Sequence, residues 1–418
     1  MRILLLSPYP PDPPHGGGTM RIFQIARGLA HHHDLTCLTF APDAAAAAMP
    51  ALRACCRVEV VIGPPQRSLP QRAWTTLASP LPDMALRNAS PEYSRALRQL
   101  LDREWFDVIQ AESIEMAPYL LAVANYYRGA SKRPRLILDQ FNAEYLLQKR
   151  AALTSLRSAL RAHSPKRFVR DLAGGIYSLA QWLKLAAFER RAMQGCNGVA
   201  AVSEDDAQIL ATLAPTTPIA VVPNGVDTSS FDRRQLTVHK EADQSPTVVF
   251  SGTLDFRANI DAITWFVGEV WPLVRARRPT ARLLVVGKRP APALQALAAA
   301  GALTLTGEVP DARPYMANAA AYIVPMRIGG GVRLKLLEAL ALEAPVVSTS
   351  MGAEGIAGLN NGQHCLLADT PEQFAEATLR LIDDQALGQQ LGQQGRLLVQ
   401  HGYDWESIIP RMEAIYLR

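Results

Sequence analysis

The chain has 418 residues, 49% of them hydrophobic and 19% charged, with a formal net charge of +5. That is too long for one ordinary domain and too apolar for a disordered chain, and it suits two domains of about 200 residues, each with its own core. The basic excess belongs to the first half, with 25 Lys/Arg against 19 Asp/Glu in residues 1–227, and no base-reading motif accompanies it, which argues against nucleic acid as a partner.

Five cysteines, Cys37, Cys55, Cys56, Cys196 and Cys365, show no metal-ligand spacing. Their odd number and their spacing fit reduced thiols in a cytoplasmic protein. The opening Met1-Arg2-Ile3-Leu4-Leu5-Leu6-Ser7 is too short an apolar run for a signal peptide, and no stretch approaches the ~18–20 apolar residues of a membrane span.

Residues 3–6 read as an all-apolar strand of a parallel sheet covered on both faces. The proline-rich run from Pro8 to His15 is a stiff loop, and Gly16-Gly17-Gly18 leads into an amphipathic helix carrying Met20, Phe23, Ile25, Ala26 and Leu29. Further strands are expected at 35–40, 58–62, 108–111, 136–138 and 199–202, with helical patterns between them: a doubly wound sheet. Two polar tips follow strands, Gln110-Ala111-Glu112 and Asp139-Gln140-Phe141-Asn142-Ala143-Glu144. Loop decoration is the usual reading of such tips.

Residues 145–193 hold ten Lys/Arg against Asp171 and Glu189 only, interleaved with leucines and aromatics at helical spacing. Two readings stay open, an anionic membrane surface and a solvated helix packed on its own domain. Ser203 is placed to cap a helix, and Pro223-Asn224-Gly225-Val226-Asp227 makes a rigid turn before a polar stretch, 228–246, that suits a linker.

A second strand–helix alternation starts at 247–250, and Ser251-Gly252-Thr253 after it suits a phosphate at a backbone turn. Strands at 283–286, 303–305 and 321–324 follow, then Gly329-Gly330-Gly331 and a helix over 333–342. Such a loop can set backbone N–H groups at the positive end of a helix dipole against an anion. Arg333 and Lys335 add positive charge in that helix's first turn, where a cation is intrinsically unfavourable; a bound phosphate is the simplest reason, a tight turn with solvated basic residues the bland one.

The segment from Val324 to Gly355, V-P-M-R-I-G-G-G-V-R-L-K-L-L-E-A-L-A-L-E-A-P-V-V-S-T-S-M-G-A-E-G, resembles the donor-binding segment of the family 4 retaining glycosyltransferases (glycosyl transferases group 1). The resemblance implies the α/β GT-B fold, two Rossmann-like doubly wound parallel-sheet domains with an interdomain cleft. The first would cover 1–227 plus a C-terminal helix, 404–418, and the second 247–403. It implies that Glu338 contacts a ribose. A second Glu eight positions earlier, which often contacts the sugar, is here Gly330, beside Gly331. Gly17 and Gly18 would lie by the donor's phosphates, and Glu308 and Val309 at the base-recognising edge. Arg257 would pair with the diphosphate; a Lys five positions on is absent, Ala262 standing there, so Arg333 and Lys335 are inferred to supply the missing charge.

A family variant reading D-x-H-N-x-E resembles the second polar tip, with Phe141 in the His position. A phenyl ring neither gives nor takes a proton, so either His15 or another polar group substitutes or the usual chemistry is lost. Glu112, Asp139, Asn142 and Glu144 remain for contacting acceptor or sugar. The activity implied is metal-independent transfer, without a cofactor, from a nucleotide-diphosphate sugar to a glycan or lipid-linked acceptor in cell-surface polysaccharide synthesis, at the inner face of the cytoplasmic membrane if 145–193 binds it. A nucleotide-sugar epimerase on the same fold and a non-catalytic nucleotide-sugar-binding protein are the alternatives.

Overall fold

A computed structural model describes residues 1–14, 16–64, 66–160, 164–236, 245–328 and 332–417. The chain divides into two compact units, Met1–Pro223 with Ile409–Arg418, and Asn224–Ile408.

The first unit is built on seven parallel strands: β1 (Arg2–Ser7), β2 (Asp34–Ala41), β3 (Arg57–Ile62), β4 (Val108–Glu112), β5 (Arg135–Gln140), β6 (Gly198–Ala201) and β7 (Ile219–Val221). Their order is β3-β2-β1-β4-β5-β6-β7. The strands are apolar runs because helices cover both faces, and Leu4, Leu6, Leu38, Ile109, Leu138 and Val199 meet in one core. The order reverses between β1 and β4, so the loops after these two strands diverge and leave a crevice at the strands' carboxyl ends.

The second unit repeats the plan with β8 (Thr247–Ser251), β9 (Arg282–Val286), β10 (Thr304–Leu305), β11 (Ala321–Val324), β12 (Val346–Ser348) and β13 (Leu366–Leu367). The order β10-β9-β8-β11-β12-β13 puts its reversal between β8 and β11. The hydroxyls of Ser251 and Tyr322, 2.7 Å apart, join these two strands at that point. The strand β13 is two residues long and has no periodicity to read. All five cysteines are free thiols.

Three local expectations shift. Gln110, Glu112, Asp139 and Gln140 lie inside strands, fully buried, not on tips beyond them. They are tolerated there because they have partners: the Tyr416 hydroxyl donates to Gln110 (2.6 Å), and Arg21 donates to both oxygens of Asp139 (2.7 Å each). The helix expected from Arg333 starts at Leu334 and ends at Ala341, with Arg333 as its extended N-cap. Within 228–246, the first residues fold onto the second unit: Thr228 bonds Asp404, and Arg396 donates to Phe231 O (2.9 Å); residues 237–244 lie outside the described residues. Ser203 caps the helix Glu204–Leu213 by accepting from Asp206 N. Among the described residues no helix is long and apolar enough to cross a membrane.

Candidate functional site

In the second unit, three loops at the carboxyl ends of β8, β9 and β10 are knitted by main-chain bonds. Gly252 N donates to Val286 O (2.9 Å), Leu254 N to Lys288 O (3.0 Å) and Gly287 N to Gly307 O (3.3 Å). Gly287, at φ +156°, has no room for a side chain: a Cβ there would lie 1.8 Å from Gly252 O. Gly252, at φ +150°, faces the Lys335 ammonium, 2.9 Å from where a Cβ would sit. The two glycines bring main chain and ammonium together.

Lys335 lies in the first turn of the helix Leu334–Ala341, just across the β8/β11 reversal. Its Nζ donates to Asn259 Oδ1 (2.9 Å) and stands 4.0 Å from the centre of the Phe250 ring. Asn259 is held in turn by donating to Thr253 O (2.8 Å). Burial pushes the ammonium down to about 7, with the Arg333 charge adding to it and the Glu338 charge opposing. Glu338, one turn along the same face, is raised by burial and partly brought back by Lys335. Arg333 is half-buried, its guanidinium lowered by burial against the pull of Glu354. A half-buried ammonium beside a glycine turn and a helix N-terminus suits an anion.

The other residues expected at a donor site fall nearby or outside the described residues. Arg257 is exposed at the start of the helix Arg257–Trp265, in the same loop system as Gly252. Glu308 is exposed, 3.7 Å from Lys288, and Val309 packs half-buried against the core. Gly330 and Gly331 lie outside the described residues, as does His15 in the first unit.

In the first unit, a cavity of about 450 Å³ is lined from the loops after β1, β4 and β5 by Tyr9, Ser113, Glu115, Phe141, Asn142 and Glu144, and from helices by Arg72, Asp83, Arg87, Tyr177 and Gln181 among others. Its cations are spent. Arg87 pairs with Glu115 (2.5 Å) and Arg72 with Asp83 (2.9 Å), which Arg67 also holds (2.7 Å). Glu144 accepts from Asn142 (3.1 Å), and burial raises its carboxyl, as it does that of Glu115. Burial, then the charges of Glu115 and Glu112, push the Tyr9 phenol up. Gly17 opens the helix Gly17–Ala30, and Gly18 leaves space for Tyr9, whose hydroxyl would be 2.1 Å from a Cβ there.

Asn142 and Glu144 thus reach this cavity, whereas Asp139 and Glu112 stay beneath it. Asp139 spends both oxygens on Arg21, and Glu112 is bonded by Gln110 (2.7 Å) and held well above the ordinary carboxylate range by burial and by Asp139. Sequence reasoning missed Glu115, Tyr9, Arg87, Asn259 and Phe250. The reversal of strand order would have flagged Glu115, which follows β4. Among the described residues no group of three or more His, Cys, Asp or Glu is placed to hold a metal ion.

The family model described as Glycosyltransferase Family 4 matches residues 15–230, just over half the chain, and that described as Glycosyl transferases group 1 matches residues 245–384. An uncharacterized 44.6 kDa protein in the cps region of Klebsiella pneumoniae is 27% identical over 170 residues, 38% of this chain and 43% of that protein. A phosphatidyl-myo-inositol mannosyltransferase of Propionibacterium freudenreichii is 25% identical over 228 residues, 52% of this chain and 55% of that protein. The match thus spans about half the length of these curated relatives. Sucrose-phosphate synthase from Thermosynechococcus elongatus superposes with a TM-score of 0.67 at 17% identity, over 100% of this chain and 98% of that one. Anabaena HepE in complex with UDP superposes at 0.61 and 15% identity, over 99% of each chain.

Proposed function

The chain belongs to Glycosyltransferase Family 4 and has the GT-B fold, and from that premise we propose that it moves a sugar, with retention at the anomeric carbon, from a nucleotide-diphosphate sugar to a glycan or lipid-linked acceptor in cell-surface polysaccharide synthesis. The observation that carries this reading is the Lys335 ammonium, set against Gly252 in the knitted loop cluster and pushed down to about 7. An ammonium that is costly to keep charged gains most when a diphosphate arrives. Binding pulls its proton affinity back up, and the full charge is in place as the C–O bond to the sugar lengthens and the leaving oxygen becomes an anion. Arg333 and the N–H groups of the helix start would share that charge, without calling on a metal ion. Glu338, half-buried one turn along, would accept the ribose hydroxyls, and Arg257 would reach the phosphates from the β8 loop.

The cavity of the first unit would take the acceptor. Its arginines are already paired, so what it offers an incoming molecule is carboxyl, amide and phenol groups around Phe141, a lining suited to hydroxyls rather than to phosphate. The names of the relatives support the same class: a mannosyltransferase, a protein of a cps region, and a fold neighbour holding UDP. Phe141, in place of a proton-carrying side chain, favours a second reading, a protein that binds the nucleotide-sugar without transferring it.

A thermal-shift screen of nucleotide-sugars tests the donor half, because a ligand that binds only the folded state raises the midpoint. The expected result is a rise with one or a few of them, lost in Lys335→Ala. No rise with any of them would remove the donor site. A rise without turnover on any acceptor would favour the binding-only reading, and an epimer formed in the absence of acceptor would favour the epimerase.

A further inference from the structure

The helices Glu144–Leu160 and Pro165–Gln194 form a hairpin whose inner side is ordinary core: Ala152, Leu185 and Phe188 are buried, and Gly175 lets Leu156 approach to 2.6 Å of where a Cβ would be. The outer side is not ordinary. Val169, Leu172, Ile176, Leu179 and Leu183 recur every three or four residues and so share one face over ~21 Å of helix. Apart from half-buried Leu172 they are exposed, Val169 to 63%, Ile176 to 57% and Leu183 to 60%.

On the first helix Arg150, Leu153, Arg157 and Leu160 alternate at the same spacing, all exposed, Leu160 to 84%. The neighbouring helix Leu69–Ala78 is tied to the hairpin by Lys184, which donates to Thr76 O and Ser79 O, and by Gln181, which donates to the Thr76 hydroxyl (3.1 Å). It carries Trp74, 69% exposed. Of the sixteen large hydrophobic side chains that are exposed among the described residues, eight are on these three helices, which makes a patch rather than scatter.

We infer that this hairpin, with Trp74, docks on an anionic lipid bilayer, lying in the plane of the headgroups. Charge selects the occupant. Residues 145–193 carry ten Lys/Arg, and of the two acidic residues Glu189 is buried and Asp171 is bonded by Arg170 (3.1 Å). A second copy would bring the same positive face against itself, whereas anionic headgroups neutralise it. Leucines alternating with arginines on one helical face can bury the apolar part while the guanidinium groups reach out to phosphates. The exposed tryptophan suits the polar–apolar boundary.

The same turns of the long helix supply Tyr177, Gln181 and Leu185 to the cavity wall, so docking holds that cavity within roughly one helix diameter, ~10 Å, of the headgroups. The docking does not rest on the transferase reading. That reading gains from it a reason to favour a lipid-linked acceptor.

Co-flotation of the full chain with vesicles of phosphatidylcholine, alone or with about 30% phosphatidylglycerol, tests the inference. Expected is flotation with the anionic vesicles, weakened roughly tenfold or more by removing the anionic lipid or by raising the salt to about 0.5 M. Ile176→Glu with Leu183→Glu, and separately Arg150→Glu with Arg157→Glu, should each lower the bound fraction at least about tenfold. Both leave the thermal midpoint and any nucleotide-sugar shift unchanged, since these side chains face solvent. The vesicle-induced blue shift in fluorescence should vanish in Trp74→Phe. A wild-type chain that stays at the bottom of the gradient overturns the inference, as do variants that float like wild type. A dimer that Ile176→Glu with Leu183→Glu converts to monomer would assign the face to a second copy instead.

Discussion

The two units carry sheets of the same plan, and each places its chemistry where strand order reverses, yet the chemistry is opposite. At the β8/β11 reversal a lysine with one hydrogen-bond partner among the described residues stands beside glycines that admit nothing larger. Beside the β1/β4 reversal every arginine at the cavity is neutralised, and one carboxyl, that of Glu144, is left over. One site presents a cation and the other presents acceptor oxygens. On the proposed reading a shared scaffold sets where the ligands go, and the sign of the unpaired charge sets which ligand each site takes.

The hardest way to break this contrast is to remove what holds the first unit's loops. Asp139 and Arg21 form a doubly bonded ion pair with both side chains buried, and Arg21 also donates to Pro223 O (3.1 Å). Asp139→Ala would strand a buried guanidinium and should cost about 3–5 kcal/mol of stability, read as a lower urea midpoint. A variant as stable as wild type would return Asp139 to the list of residues free to meet a ligand. If Lys335 meets the donor diphosphate as proposed, Lys335→Ala should lower kcat/KM about 100-fold without lowering the thermal midpoint, because it removes a charge that acts only on that diphosphate. Unchanged kinetics would empty the donor site of its main group.

How far these sites could be read beforehand differs by physical cause. The strands were legible because parallel sheets covered on both faces need apolar runs such as Leu4-Leu5-Leu6 and Tyr322-Ile323-Val324. The Lys335 position stood out because a cation in a helix's first turn opposes the dipole. Its partners did not: Asn259 precedes it by 76 positions and Phe250 lies on β8, and only the folded chain brings them together. Asp139 and Glu112 were misplaced for the converse reason. A polar residue after an apolar run looks like a strand end unless the buried partner is known, and Arg21 lies 118 residues away. Glu115 gave no signal of its own, being one acid in the short turn Ile114–Met116.

A smaller effect should appear on the acceptor side. Glu144 has Asn142 as its hydrogen-bond donor and, among the described residues, no ion pair of its own; Arg87 touches it only through its field. Glu144→Gln keeps the shape but gives up a charged acceptor, and should raise the acceptor KM about tenfold while leaving the donor KM alone. A rise in the donor KM instead would mean that the two sites do not divide the substrates as their charges suggest.

The smallest effects, and the most direct on the contrast, are two opposite dependences on pH. Lys335 titrates near 7 in the folded chain, below the ordinary lysine range, so above pH 7 the unfolded chain holds a proton that the folded chain has lost. The cost of burying this charge is therefore complete below pH 7 and is relieved as pH rises towards 10. Glu189 in the first unit caps the start of the helix Glu144–Leu160, accepting from Glu144 N (3.2 Å) and Tyr145 N (3.0 Å), and burial raises it to about 8. There the folded chain holds the extra proton, so stability is present below the ordinary carboxylate range and declines as pH climbs through 8. Lys335→Met should accordingly raise the thermal midpoint by a few degrees at pH 6 and by almost nothing near pH 10, while Glu189→Gln should gain on wild type between pH 5 and pH 8.5. Midpoints measured across that range, variant minus wild type, should slope in opposite directions. Parallel slopes would mean that the half-buried ammonium and the buried carboxyl do not stand in the contrasting surroundings on which the proposed division between an anion site and a hydroxyl site depends.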